Sequence, residues 1–284
     1  MSHVAIVTDS AADLTPEQAA VAGITVVPLI VSFGSESFRA GVDLSTDAFW
    51  ERMVAPDAPF PTTAASSPGA FGEAFDACFA AGAEAIVCVD VAETLSGTIK
   101  SARIAADLRP EREIWIVDSH SASMGVGILA ILAGELAADG RSAADIAAEL
   151  ERRRDDLDLF VALDTLAYLR KGGRISGPQA AIGTLLSVKP IITVRNGVVE
   201  TADRPRTRSK ARERVIELLT SSGLERIAVL YTVGAKPVSF RDELIARTGG
   251  SIDADHVTIQ PVGPSVGPHL GPGCVGAVVL RIRP

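Results

Sequence analysis

Four short stretches hold a cluster of hydroxyl groups in the first half of the chain: TDSAAD (Thr8–Asp13), TTAASS (Thr62–Ser67), ETLSGT (Glu93–Thr98) and DSHSAS (Asp118–Ser123). A hydroxyl donates one hydrogen bond, and a helix starting behind it adds free N–H groups with a favourable dipole. Brought together, such groups suit a small anion, a carboxylate above all. Taken singly, each serine or threonine is better explained as the cap of its helix. Ser96 stands apart, because Gly97 behind it lets a ligand approach the backbone. Covalent chemistry has less behind it. A serine nucleophile needs a base within reach and usually a sharp G-x-S-x-G turn, and no such elbow is expected in this chain. His120 and His269 are the plausible bases, so a serine-dependent acyl ester hydrolase is the alternative function.

Other chemistries are weaker. Gly125-Val126-Gly127-Ile128-Leu129-Ala130 has G-x-G-x-x-A spacing, yet seven residues separate it from Ile114–Val117, whereas a dinucleotide fingerprint turns directly off its strand. Close helix packing explains these glycines better. No G-x-x-x-x-G-K-[ST] is present, so a nucleotide-dependent enzyme lacks its motif. No cofactor is expected. His3, His120, His256 and His269 show no i,i+4 pairing, and Cys78, Cys88 and Cys274 form no C-x-x-C, so no metal site is expected either. Asp9 and Asp13 fit a turn and cap better than a Mg²⁺ pair. Two basic clusters remain, LRKGGRIS (Leu169–Ser176) and RPRTRSK (Arg204–Lys210). In the first, Gly172-Gly173 breaks a helix and Arg174 emerges beside it, placed to meet an anion or an acidic partner.

The bulk numbers frame these sites. A net charge of −8 over 284 residues gives no basic surplus to displace phosphate counterions, which argues against nucleic acid as the main partner. Three irregularly spaced cysteines suggest a reducing cytosol rather than a disulfide framework. Neither a signal peptide nor an apolar run of bilayer length is evident, so a cytoplasmic protein without an integral membrane segment is expected.

Strands alternate with helices through the first half: VAIVT, the Pro16 helix, ITVVPLIVSF as one strand carrying Pro28, AIVCVDV, EIWIVDS and a long Ala-rich helix. GSES between the early strands looks turn-like. Buried strands alternating with helices predict a mostly parallel sheet covered on both faces. After the charged run ERRRDDLD the pattern changes, with a hairpin at Asn196-Gly197, further strands and separate helices, and an amphipathic stretch up to Ser187. The fold class is therefore α/β with two domains. An N-terminal α/β domain over 1–157 and a C-terminal mixed-sheet domain over 158–284 are expected. Near the end, His269 lies in VGPSVGPHLGPGCVG, where glycines and prolines predict a rigid loop that is neither helix nor strand.

In order and spacing, TDSAADL, TTAASSPGAF, LSGTIKSA, IVDSHSASMGVG, LDTLAYLRKGGRISG, VKPII, RTRSKA and GPSVGPHLGPGCVG together resemble the DegV family of bacterial lipid-binding proteins. LDTLxYLRKGGRI together with GPHLGPG is the most specific part. At Ala64, Ala65 and Ser66 the chain departs from the family's usual pattern, which leaves Thr63 and Ser67 as the matches there. The resemblance implies a long-chain fatty acid in a buried apolar tunnel, with the ligand at the domain interface. By position, Thr63 and Ser96 look like carboxylate ligands, with His269 in reach of the same head group. Gly97 and Thr98 stand nearby, and Arg174 and Arg206 match positions near the mouth. The family further implies a non-catalytic subunit that presents its ligand to an ATP-dependent fatty acid kinase, for acyl phosphate formation and phospholipid metabolism.

Overall fold

A computed structural model describes residues 3–175, 188–221, 223–250, 252 and 256–282. The amphipathic stretch expected up to Ser187 lies largely outside them. From the N-terminus run β1 (Val4–Asp9), a 3-10 turn, α1 (Pro16–Val21), β2 (Ile24–Val27), β3 (Ile30–Phe33) and β4 (Glu36–Arg39). Next come α2 (Thr46–Met53), β5 (Thr62–Ala64), α3 (Pro68–Ala80), β6 (Ala85–Asp90), α4 (Thr98–Asp107) and β7 (Glu113–Asp118). Two helices, α5 (Met124–Ala138) and α6 (Ala143–Arg153), lead to the second half.

A four-stranded parallel sheet, ordered β2-β1-β6-β7, forms as the alternation predicts. Every residue of β6 is buried, as a central strand covered on both faces requires. Three expectations are corrected here. Ile24–Phe33 is not one strand: Pro28, lacking an N–H for a ladder, separates β2 from β3, which joins a different sheet ordered β4-β3-β5. Glu36–Ser37, expected in a turn, begins β4, which pairs antiparallel with β3. The single Ala-rich helix is also two helices, because Gly140 at φ 77° ends α5 and Ser142 caps α6.

The second half contains β8 (Leu157–Ala162), α7 (Ala167–Lys171), β9 (Ile191–Arg195), β10 (Val198–Asp203), α8 (Arg208–Leu219) and β11 (Leu224–Tyr231). It ends with α9 (Pro237–Arg247), β12 (Val257–Pro261), α10 (Gly267–Leu270) and β13 (Val275–Arg281). Among the described residues its six strands form a mixed sheet, ordered β10-β9-β8-β13-β11-β12, in which β11 and β12 alone run parallel. The β9–β10 hairpin turns on Asn196 and Gly197, both at positive φ, as that dipeptide predicts.

Helix α5 joins the two sheets. Its first ten residues, Met124–Ala133, are apolar all round and all but Ile131 buried, the pattern of a helix segment covered on every side. Leu129 and Ala133 pack toward the parallel sheet, whereas Met124 and Ile128 join the core of the mixed sheet. The G-x-G-x-x-A glycines serve this packing. A Cβ on Gly127 would lie 2.7 Å from the Ala12 carbonyl oxygen, and one on Gly125 would lie 1.9 Å from Ser121 Oγ. On the mixed sheet, alternate residues of β8 divide the faces. Phe160 and Ala162 pack under α8 and α9, while Leu159 and Val161 face the interior.

Candidate functional site

The interior between the halves holds a narrow cavity of about 70 Å³. Its apolar wall comes largely from the mixed sheet, with Leu159, Val161, Ile192, Val199 and Leu230. The opposite side consists of loops at the carboxyl ends of the parallel strands, which contribute Ala11, Val91, Leu95 and Ser123. This is the crevice position typical of open parallel sheets.

Thr63, Ser96, Arg174 and His269 supply most of the cavity's polar groups. Thr63, in the short strand β5, places Oγ1 3.1 Å from His269 Nε2, joining residues 206 positions apart. Ser96 Oγ lies 2.7 Å from Thr98 Oγ1 and accepts from Thr98 N–H, so Thr98 is buried beside the cavity rather than in its wall. Gly97 is the N-cap of α4 and brings no side chain, so this helix begins with no side-chain cap and no acid in its first turn. Arg174 Nε donates to the Leu95 carbonyl and Nη1 to that of Gly172, while burial holds its pKa below the ordinary arginine value. Among the described residues it has no carboxylate partner. Arg206 is exposed in the segment before α8 and does not line the cavity. Ser67 is the cap of α3, accepting from Ala70 N–H.

The segment around His269 is not the irregular loop that its composition predicts. Residues 267–270 form one helical turn, α10, in which Pro268 occupies a first-turn position and Gly271 at φ 75° ends it. Glycine is needed on both sides. A Cβ on Gly267 would stand 2.5 Å from Phe49 Cε1, and one on Gly271 would stand 2.3 Å from the Tyr168 ring. Gly172, expected only to break α7, packs its Cα against the imidazole, where a Cβ would be 2.1 Å from Nδ1. Burial first, and the Arg174 charge second, push the His269 pKa down to about 4, so the ring is neutral at pH 7.

Some functional groups escape the sequence reading. Gly263-Pro264-Ser265-Val266-Gly267 has the G-x-S-x-G spacing, and Ser265 lines the cavity. It is not a strained nucleophile turn, since Ser265 has no positive φ and its Oγ lies 2.8 Å from Ser10 Oγ. Among the described residues no serine hydroxyl is hydrogen-bonded to a histidine. His120, the other candidate base, stands outside the cavity wall with Nε2 4.0 Å from Asp118. Asp9 is a turn residue as expected, its carboxylate accepting from the N–H groups of Ala11 and Val91.

A family model described as an uncharacterised protein of the DegV family matches residues 3–281. A DegV domain-containing protein from Deinococcus radiodurans is 37% identical over 281 residues, covering 97% of this chain and 98% of its own. Among solved structures, a fatty-acid-binding DegV family protein from Thermus thermophilus is 32% identical, with a TM-score of 0.87 over 99% of this chain and 100% of that one. DegV from Bacillus subtilis, described as a fatty acid binding protein, is 30% identical with a TM-score of 0.85 over 99% and 100%. A stearic acid-binding protein from Eubacterium ventriosum is 27% identical with a TM-score of 0.88 over 99% and 98%. A family match spanning nearly the whole chain, with a relative 37% identical over 281 residues, shows that this chain belongs to the DegV family.

Proposed function

We propose that the cavity holds one long-chain fatty acid, its carboxylate at the Thr63–Ser96–His269 end and its alkyl chain along the wall of the mixed sheet. The observation that carries this is Arg174, a half-buried cation in a mostly apolar cavity, beside the Thr63, Ser96 and His269 side chains and with no carboxylate partner among the described residues. A buried unpaired charge is costly, and a ligand carboxylate offsets that cost with charge-assisted hydrogen bonds. The solved relatives named for fatty acid binding support the same ligand. Each methylene adds about 0.8 kcal/mol of burial, so the apolar wall supplies the affinity.

In this proposal the ligand lies between the units 1–157 and 158–284. The chain has no catalytic cycle of its own and presents the carboxylate to an ATP-using kinase, with Arg206 on the docking surface. The protein works in the cytoplasm; among the described residues no helix is long and apolar enough to cross a membrane. Organic extraction of the purified protein followed by mass spectrometry is the direct test. A co-purified or added oleate or palmitate bound one to one is expected, and no binding of either would end the proposal. Acyl hydroxamate trapping with ATP, oleate and a fatty acid kinase subunit tests the kinase step.

A further inference from the structure

We propose that Asp13 is a positioning residue that sets where His269 stands in the cavity; its role in ligand binding rests on the fatty acid proposal above. Asp13 is buried in the first half of the chain yet holds three points in two distant segments. Its Oδ1 accepts from Gly263 N–H at 2.9 Å, and its Oδ2 accepts from the Ser123 hydroxyl at 2.5 Å. Its backbone carbonyl accepts from Gln260 Nε2 at 2.6 Å. Gln260 and Gly263 flank the point where the chain leaves β12 for α10. From there the linkage to the imidazole is short. Gly267 N–H donates to the Gly263 carbonyl at 2.8 Å, and His269 N–H donates to that of Val266 at 3.0 Å. The approach depends on glycine at 263, since a Cβ there would lie 2.9 Å from Asp13 Oδ1.

A merely structural contact does not need these costs. Ser123 sits at φ 54° and ψ −140°, a conformation that L-residues avoid, and it is bonded to Asp13 at the cavity's edge. Among the described residues this carboxylate has no arginine or lysine partner, and without one it is an expensive way to accept two hydrogen bonds. Burial raises its pKa to about 7, the Ser123 and Gly263 bonds lower it, and the Asp9 carboxylate raises it further. Among the described residues Asp9, from β1, is the charged group acting on it; Ser123 and Gly263 are neutral.

The test uses the full-length protein, ¹³C- and ¹⁵N-labelled, with Asp13→Asn beside the wild type. Expected in the wild type is a step in the His269 ring ¹⁵N shifts that follows the Asp13 carboxyl ¹³C shift, separate from the ring's own titration at lower pH. In Asp13→Asn, folded by circular dichroism, that step disappears and oleate binds roughly tenfold more weakly, the equivalent of one lost charged hydrogen bond. A wild-type His269 ring that does not follow Asp13, or an Asp13→Asn protein with unchanged oleate affinity, overturns the proposal. Should the variant fail to fold, the wild-type titration decides alone. A wild type that binds no oleate refutes the fatty acid proposal, and the ring titration still judges Asp13.

Discussion

Thr63→Val isolates the head group. Valine keeps the shape of threonine, so the cavity wall is preserved while the hydroxyl is lost. In the free protein the change removes the 3.1 Å bond to a neutral His269, worth about 0.5–1.5 kcal/mol. In the complex it removes a bond to a carboxylate, worth about 1.5–3 kcal/mol. The difference weakens oleate binding by about 1–2 kcal/mol, roughly 5- to 30-fold at 1.4 kcal/mol per decade. Displacement of a fluorescent polyene fatty acid measures it, with oleyl alcohol as control. The alcohol shares the chain but not the carboxylate, so its affinity should change by less than about threefold. Oleate binding within twofold of wild type would refute the head-group assignment. Equal losses for oleate and oleyl alcohol would show instead that Thr63 only shapes the cavity.

Arg174→Met should weaken oleate more than oleyl alcohol and raise the His269 pKa from about 4, since the Arg174 charge is one cause of its depression; ring ¹⁵N shifts measure the latter. In the folded state His269 lies below its ordinary 6.5, so its contribution to stability is complete above pH 6.5 and is lost as pH falls toward 4. Denaturant unfolding of His269→Gln against wild type should show this difference growing to about 3 kcal/mol across that window. Asp13 and Asp9, whose values are raised, act in the opposite direction in both proteins and cancel in the comparison. Fatty acids of increasing length should gain up to about fourfold in affinity per methylene and then level off when the cavity is full, read by calorimetry. Gly197→Ala forces a side chain into positive φ and within 2.5 Å of Thr94 Oγ1, so a loss of about 1–3 kcal/mol in unfolding free energy is expected.

Much of this architecture is legible in the residues themselves. Continuous apolar runs such as Ala85–Val89 announce central parallel strands, and Asn196-Gly197 announces its hairpin. The errors have physical causes. Apolar residues on both sides of Pro28 conceal a change of sheet, because periodicity does not say which strand is the neighbour. The glycines and prolines around His269 lower helix propensity, yet packing against Phe49 and Tyr168 requires small residues there and fixes one helical turn. Arg174 reads as a loop cation placed to meet an anion, and nothing local reveals that it lines a mostly apolar cavity.

By itself the sequence determined what is local or compositional: element types, most caps, two kinds of sheet, and hydroxyls gathered at strand ends. The tertiary structure alone decided which of those hydroxyls work together. Ser67 caps a helix, while Thr63, four residues earlier, meets an imidazole 206 positions away. It likewise decided that Leu159 and Val161 line a cavity while Phe160 and Ala162 fill a core, although all four are equally apolar. The physical reason is that burial and hydrogen bonding depend on what faces a side chain, and that is set by the packing of segments distant in the chain.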